Sequence, residues 1–180
     1  MSFLMKTAYV LALAASMQTD NLSMNPAPGP VESSRQFPTL TSRDLAGHTI
    51  ALPDGLPGDR TVLLIAFARE QQKDIDGWVA GLHLDDGKIP WLEVPVIDNP
   101  GPLVRWFIDS GMRRGIQNHE TWKHVVTLYI RKSEFKAAIG VTDESKVYAM
   151  VVDRHGKILV TVPGLYTPQG AATIQAAASG

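Results

Sequence analysis

LLIAFAREQQKDIDGW, residues 63–78, decides the fold class. Its first part continues a run that begins at Thr61, TVLLIAF, which is of strand length and shows no alternation of apolar and polar residues. Such a run is what a strand covered on both faces requires. The period then changes. Ile75, Trp78, Val79 and Leu82 fall at i, i+3, i+4 and i+7, the stripe of an amphipathic helix over about residues 72–84. Gly77 and Gly81 weaken that helix and permit close packing on the sheet. Between the two periods stand Arg69, Glu70, Gln71, Gln72 and Asp74, and these form the candidate binding site. Amides and carboxylates at a helix start can cap the helix and also contact a ligand or a peptide. The competing reading is a solvated loop whose acids only cap the helix.

On either side the pattern continues as strands and helices. Upstream, Phe37, Leu40, Leu45, Ile50 and Leu52 surround a turn containing Gly47, which predicts an early β-hairpin. Downstream, WLEVPVI (91–97) predicts a second strand, less central than the first because Pro95 has no N–H for a ladder. Asn99-Pro100-Gly101-Pro102 breaks it. Leu103, Trp106 and Phe107 predict a short helix whose exposed side carries Arg105, Asp109, Arg113 and Arg114. VVTLYI (125–130) is a third apolar strand or extended segment, and residues 131–139 predict a short helix stopped by Gly140. VYAMVV (147–152) and KILVTV (157–162) form a hairpin with Gly156 where positive φ is needed. Thr167-Pro168 is an N-cap followed by proline at the first helical position, opening an Ala-rich helix. The order is α/β: a central mixed sheet flanked by helices, with an N-terminal β-hairpin and no internal repeat.

Composition limits the function classes. The 180 residues are 44% hydrophobic and 19% charged, enough for one domain of about residues 36–180 plus a tail. Seventeen Lys and Arg balance eighteen Asp and Glu without a long run of either, so no nucleic-acid partner is expected. The absence of cysteine excludes disulfides, thiolate metal sites and thiol nucleophiles. Lys6, the apolar residues 7–15 (TAYVLALAA) and the small residues Ala12, Ala14 and Ser16 predict a signal peptide over 1–16. That segment is too short to span a bilayer, so the protein is expected to be periplasmic or secreted rather than integral to the membrane. The competing reading is an ordinary N-terminal helix packed on the domain. Residues 17–35, polar and rich in proline, are expected to be a disordered linker.

Other clusters carry less. In HETWKH (119–124) the histidines are five apart, whereas a zinc-binding H-E-x-x-H helix needs them four apart, so no metal is expected. His48, His83 and His155 lie in turn or helix-end contexts. Glycine patterns for phosphates or dinucleotides are missing, as is a nucleophile elbow, and no cofactor is expected. Arg105, Arg113 and Arg114 could make an anion or partner patch, with a solvated helix face as the alternative. Trp78, Trp106 and Trp122 are read as core or interface anchors.

Two blocks carry a resemblance. FPTLTSRDLAGHTIALP (37–53) resembles the entry hairpin, and AAIGVTDESKVYAMVVDRHGKILVTVPG (137–164) the closing block, of the thioredoxin-like superfamily in its peroxiredoxin-like form. The likeness covers about residues 37–178. More narrowly, the hairpin, Trp78 in the first core helix and the V-D-x-x-G-x-I ending at Val152, Asp153, Gly156 and Ile158 are similar to a family named for a mitochondrial ATP-synthase membrane-sector assembly factor. The resemblance implies a reactive cysteine just after the first core strand, where unpaired N–H groups and the helix dipole favour a thiolate. Here that position falls within residues 69–74, and no thiol stands there. The stretch 145–148 also lacks the proline of thioredoxins, as in peroxiredoxin-like relatives. The expectation is a redox-inert, exported binding or assembly module for a protein partner in the envelope. The alternative is an enzyme using residues 69–74 in non-thiol chemistry, for which no nucleophile with a neighbouring base is visible.

Overall fold

The computed structural model describes residues 35–98 and 100–180. The expected signal peptide, and the expected linker up to residue 34, lie outside the described residues. Among the described residues the strands are β1 (Leu40–Asp44), β2 (Thr49–Leu52), β3 (Arg60–Ala66), β4 (Trp91–Ile97), β5 (Val126–Tyr129), β6 (Tyr148–Asp153) and β7 (Ile158–Pro163). The α-helices are α1 (Gln72–Gly81), α2 (Pro102–Gly115), α3 (Lys132–Ile139) and α4 (Pro168–Ser179). The strands form one sheet in the order β2-β1-β5-β4-β3-β6-β7. Strand β3 runs parallel to β4 and antiparallel to β6, with Leu64 opposite Glu93 and Leu63 opposite Met150. The sheet is therefore mixed, and the apolar run that ends in the polar loop lies inside it.

Alternation along the strands divides the core in two. Leu63, Ile65, Leu92, Val94, Met150 and Val152 face one way and meet Phe37, Phe135 of α3 and Leu52 of the hairpin. Val62, Leu64, Trp91 and Val151 face the other way and meet Ile75 and Trp78 of α1 and Ile174 of α4. Each such fully buried side chain contributes about 1.5–3 kcal/mol relative to exposure. Trp78 also satisfies its indole N–H, which donates to the Gly164 carbonyl at 2.9 Å. The N-cap at Thr167 is present, its side chain accepting from the Gly170 N–H at 3.0 Å. The turns at Gly140 and Gly156 have φ of +75° and +84°, values that favour glycine.

Three expectations are corrected. Strand β4 is the fourth of the seven, no less central than β3, and six of its seven residues are buried. Its pairing with β3 runs from Trp91 to Pro95, but towards β5 it touches at Glu93–Val125 and resumes only at Val96–Leu128. The N–H that Pro95 lacks falls in that gap, which is how a central strand accommodates it.

Helix α2 is turned round. Its apolar residues Leu103, Trp106 and Phe107 are exposed, while Arg105, Asp109 and Arg113 face the domain. The Arg113 Nε donates to the Leu45 carbonyl at 2.7 Å, and the Tyr129 hydroxyl donates to Asp109 at 2.6 Å. The Arg105 guanidinium lies 5.1 Å from the centre of the Tyr129 ring, and its Nε donates to the Pro100 carbonyl. Hairpin and α3 residues already fill the core on one face and α1 and α4 residues that on the other, and no α2 residue enters either. What α2 meets is a polar rim of carbonyls and a phenol, and its charged arc is the one that suits it.

Gly81 makes room for Tyr166 rather than for the sheet. A Cβ at Gly81 would lie 2.1 Å from Cε2 of Tyr166, whose ring packs edge-on against Trp78. Gly81→Ala is therefore expected to destabilise the protein by about 1–2 kcal/mol, the overpacking outweighing the better helix propensity of alanine. Urea denaturation checks this, and a stabilised variant would show that Tyr166 yields freely.

Candidate functional site

The chain leaves β3 through Phe67 and Ala68, makes a tight 3-10 turn over Arg69–Gln71 and enters α1. That path leaves backbone donors at the strand end with no ladder partner. Gln71, which is buried, meets them: its Oε1 accepts from the N–H of Phe67 at 2.7 Å and of Ala68 at 3.2 Å. Its Nε2 donates to the Glu144 carbonyl at 2.8 Å, so one amide ties the strand end to the loop before β6. Lys132 of α3 closes the other side, its Nζ donating to the Phe67 carbonyl at 2.6 Å. The ring of Phe67 is edge-on to Tyr148, whose hydroxyl donates to the Asp143 carbonyl at 2.7 Å. The same loop is stiffened by Asp143, which accepts from both the hydroxyl and the N–H of Ser145. Those two bonds, with Lys146 beside them, hold the Asp143 carboxyl down at about 2.

Around this frame Arg69, Glu70 and Gln72 are exposed and Asp74 is half-buried. The five residues picked from the sequence thus separate. Gln71 spends its amide on backbone groups, and the other four make a rim of mixed charge and amide at the start of α1. The Gln72 Nε2 donates to Asp76 at 3.1 Å and reaches Glu93 of β4 at 3.5 Å. Glu93 is 6% exposed and was not singled out from the sequence. Burial pushes its carboxyl up to about 7, the Gln72 hydrogen bond opposes this, and the Asp76 charge adds to it. The alternation of WLEVPVI was the available signal, since it puts Glu93 on the face of Trp91, under α1. Chemically the mouth offers donors and acceptors of both signs on a fixed backbone, with one near-neutral buried acid behind Gln72.

The remaining clusters do not converge. His124 stacks on Trp91 with ring centres 4.7 Å apart and bonds its carbonyl, whereas His119 lies against Trp122. Among the described residues no group of three His, Cys, Asp or Glu is placed to hold a metal. Arg105 and Arg113 turn inward, so the arginine patch read from the sequence reduces to Arg114 on the exposed side. A hollow of about 490 Å³ opens between β1 and β5, lined by Leu40, Ser42, Arg43, Asp109 and Tyr129. It exists because the two strands pair only at Arg43–Thr127 and Asp44–Val126 before diverging. No helix among the described residues is long and apolar enough to cross a membrane.

No protein-family model matches this chain, and no curated protein sequence matches it. Solved structures do match in fold. BsSco, a member of the Sco family of cytochrome c oxidase assembly proteins, superposes with a TM-score of 0.55 over 84% of this chain and 96% of its own, at 11% identity. The thioredoxin domain of a thiol-disulfide oxidoreductase from Bacteroides vulgatus gives 0.54 over 81% and 97%, at 15% identity. The exposed lipoprotein thioredoxin of Streptococcus pneumoniae gives 0.52 over 78% and 98%, at 16% identity. The chain has a thioredoxin-like fold, and its sequence contains no cysteine.

Proposed function

We propose that this thioredoxin-like chain is a redox-inert binding module that engages a protein of the cell envelope through the mouth at the end of β3. One observation carries the reading. Where the resemblance implies a reactive thiol, the chain places Arg69, Glu70, Gln72 and Asp74 around a backbone fixed by Gln71. A rigid frame with an exposed polar rim suits recognition, because little ordering entropy is lost when a partner docks. An assembly role is supported by motif likeness to the ATP-synthase assembly-factor family, which rests on the hairpin, Trp78 and the V-D-x-x-G-x-I ending alone. An envelope location is supported by the signal-like pattern in residues 1–16.

Cross-linking in the native envelope tests the reading. Wild-type protein should capture one discrete partner, and Arg69→Ala with Gln72→Ala should lose it while keeping the thermal midpoint. Identical captures from both proteins remove the mouth from the argument. The mass of the protein from its native host tests export separately, since retention of residues 1–16 contradicts it.

A second reading draws on Glu93, a buried carboxyl with a pKa of about 7 beside the rim. Such a group suits general acid–base catalysis near neutral pH. Saturable turnover of a small molecule that is lost in Glu93→Gln would replace the binding module with an enzyme.

A further inference from the structure

We propose that the outward arc of α2 is a self-association face, on which a second copy of the chain packs its own α2 in the opposite direction about a two-fold axis. The proposal is independent of the mouth at β3 and goes beyond it.

Leu103, Val104, Trp106 and Phe107 are 81, 50, 62 and 70% exposed, side by side within little more than one turn of helix. The helix buries none of its residues. Its opposite arc is fixed by Arg113 to the Leu45 carbonyl and by Asp109 to the Tyr129 hydroxyl, so the apolar arc is held outward by specific bonds.

Area, shape and charge all point to a second copy as the occupant. Buried aromatic side chains cover about 150–250 Å² each, so Trp106 and Phe107, partly exposed and with the smaller Leu103 and Val104 beside them, present roughly 450 Å² per copy. With Gly111 and Arg114 on the same arc, two copies bury at most about 1,000 Å², the threshold of a biological interface and the size of a reversible one. One half of the arc is bulky and the other half small. Leu103 and Phe107 are followed at the same spacing by Gly111, with Ser110 beside it, and a Cβ at Gly111 would have nothing within 4 Å. Reversing the second helix lays Trp106 and Phe107 of each copy over Ser110 and Gly111 of the other, an isologous contact that closes with two chains. Arg114 is the one charged residue on the exposed arc of this helix. In the reversed pair the two copies of it lie at opposite ends, about 16 Å apart along the axis at about 1.5 Å per residue, and no like charges meet. A lipid surface fits less well, because interfacial helices need free basic residues on the polar arc and Arg113 is committed to the domain.

The test is sedimentation of the chain as purified from its native host, from about 1 to 100 µM, a range that resolves micromolar dissociation constants. Wild type should sediment at twice the mass of one chain. Phe107→Glu should weaken the dimer at least about 30-fold, as loss of a central aromatic anchor does. Gly111→Trp should do the same by filling the recess, and the open space at that position lets the monomer fold unchanged, which circular dichroism verifies. A wild-type monomer at the highest concentration overturns the proposal. That holds whether the arc is then covered by residues 1–34 or found on phosphatidylcholine–phosphatidylglycerol vesicles by flotation. A dimer that survives both substitutions also overturns it, since the contact then lies elsewhere.

Discussion

Gln71→Ala is expected to lower the unfolding free energy by about 2–4 kcal/mol, because it strips partners from three backbone groups at once, that of Phe67 buried. The N–H groups of Phe67 and Ala68 and the carbonyl of Glu144 all bond to this one amide. Alanine leaves the three without a protein partner, and the amide it removes is itself only 6% exposed. Urea denaturation should show a lower midpoint with an unchanged slope. Gln71→Glu separates the contributions. It keeps acceptors for Phe67 and Ala68 but loses the donor to Glu144, and its buried carboxylate makes the deficit grow as the pH rises. A midpoint unchanged by alanine would mean that water takes over all three bonds.

Glu93→Gln is expected to act in the opposite direction, and only above acid pH. The Glu93 carboxyl titrates near 4.5 when unfolded and near 7 when folded, chiefly because burial penalises its charge. The stability conferred by the neutral acid is therefore fully present below pH 4.5 and is lost as the pH rises through about 7. At about 1.36 kcal/mol per pKa unit the loss is on the order of 3 kcal/mol. Glutamine cannot ionise, so the variant should match wild type near pH 4 and exceed it by that amount at pH 8. Thermal midpoints measured across this range give the comparison. Two parallel curves would mean that Gln72 and the protein around it stabilise the carboxylate as well as water does.

How far the sequence could be read follows from which physical signals are local. The closing hairpin, the Thr167-Pro168 helix start and the β3 run are written in adjacent residues, and each lies where the pattern put it within a residue or two. The order of strands in the sheet is not local. Pro95 argued for a less central position from its own missing donor, and only the gap in the β4–β5 pairing shows how the centre tolerates it. Periodicity shows that Leu103 and Phe107 share a face of α2 but not that the face points outward. That depends on which core surfaces the hairpin, α1, α3 and α4 have already covered. At the candidate site the rim residues were legible as a polar loop after a buried strand. The internal use of Gln71 was not, because its third partner, Glu144, lies in a distant loop. Glu93 was hidden in the opposite way, a single acid inside an apolar run whose depth comes from its neighbours.

The sheet order also has a consequence in time. Strand β3 needs β4 on one side and β6 on the other, and Leu63 waits for Met150. The β4 side can close early, through the short βαβ crossover of α1. The β6 side stays open until residues 148–153 have been synthesised, and Ile174 of α4, which seals the same face, comes later still. A growing chain therefore carries its most apolar strand with one bare edge from the completion of β3 to that of β6, the condition in which nascent chains need shielding from one another. Long-range pairing of this kind also makes folding slow relative to chains closed by local contacts. The centre of the domain is the last part of it to become complete.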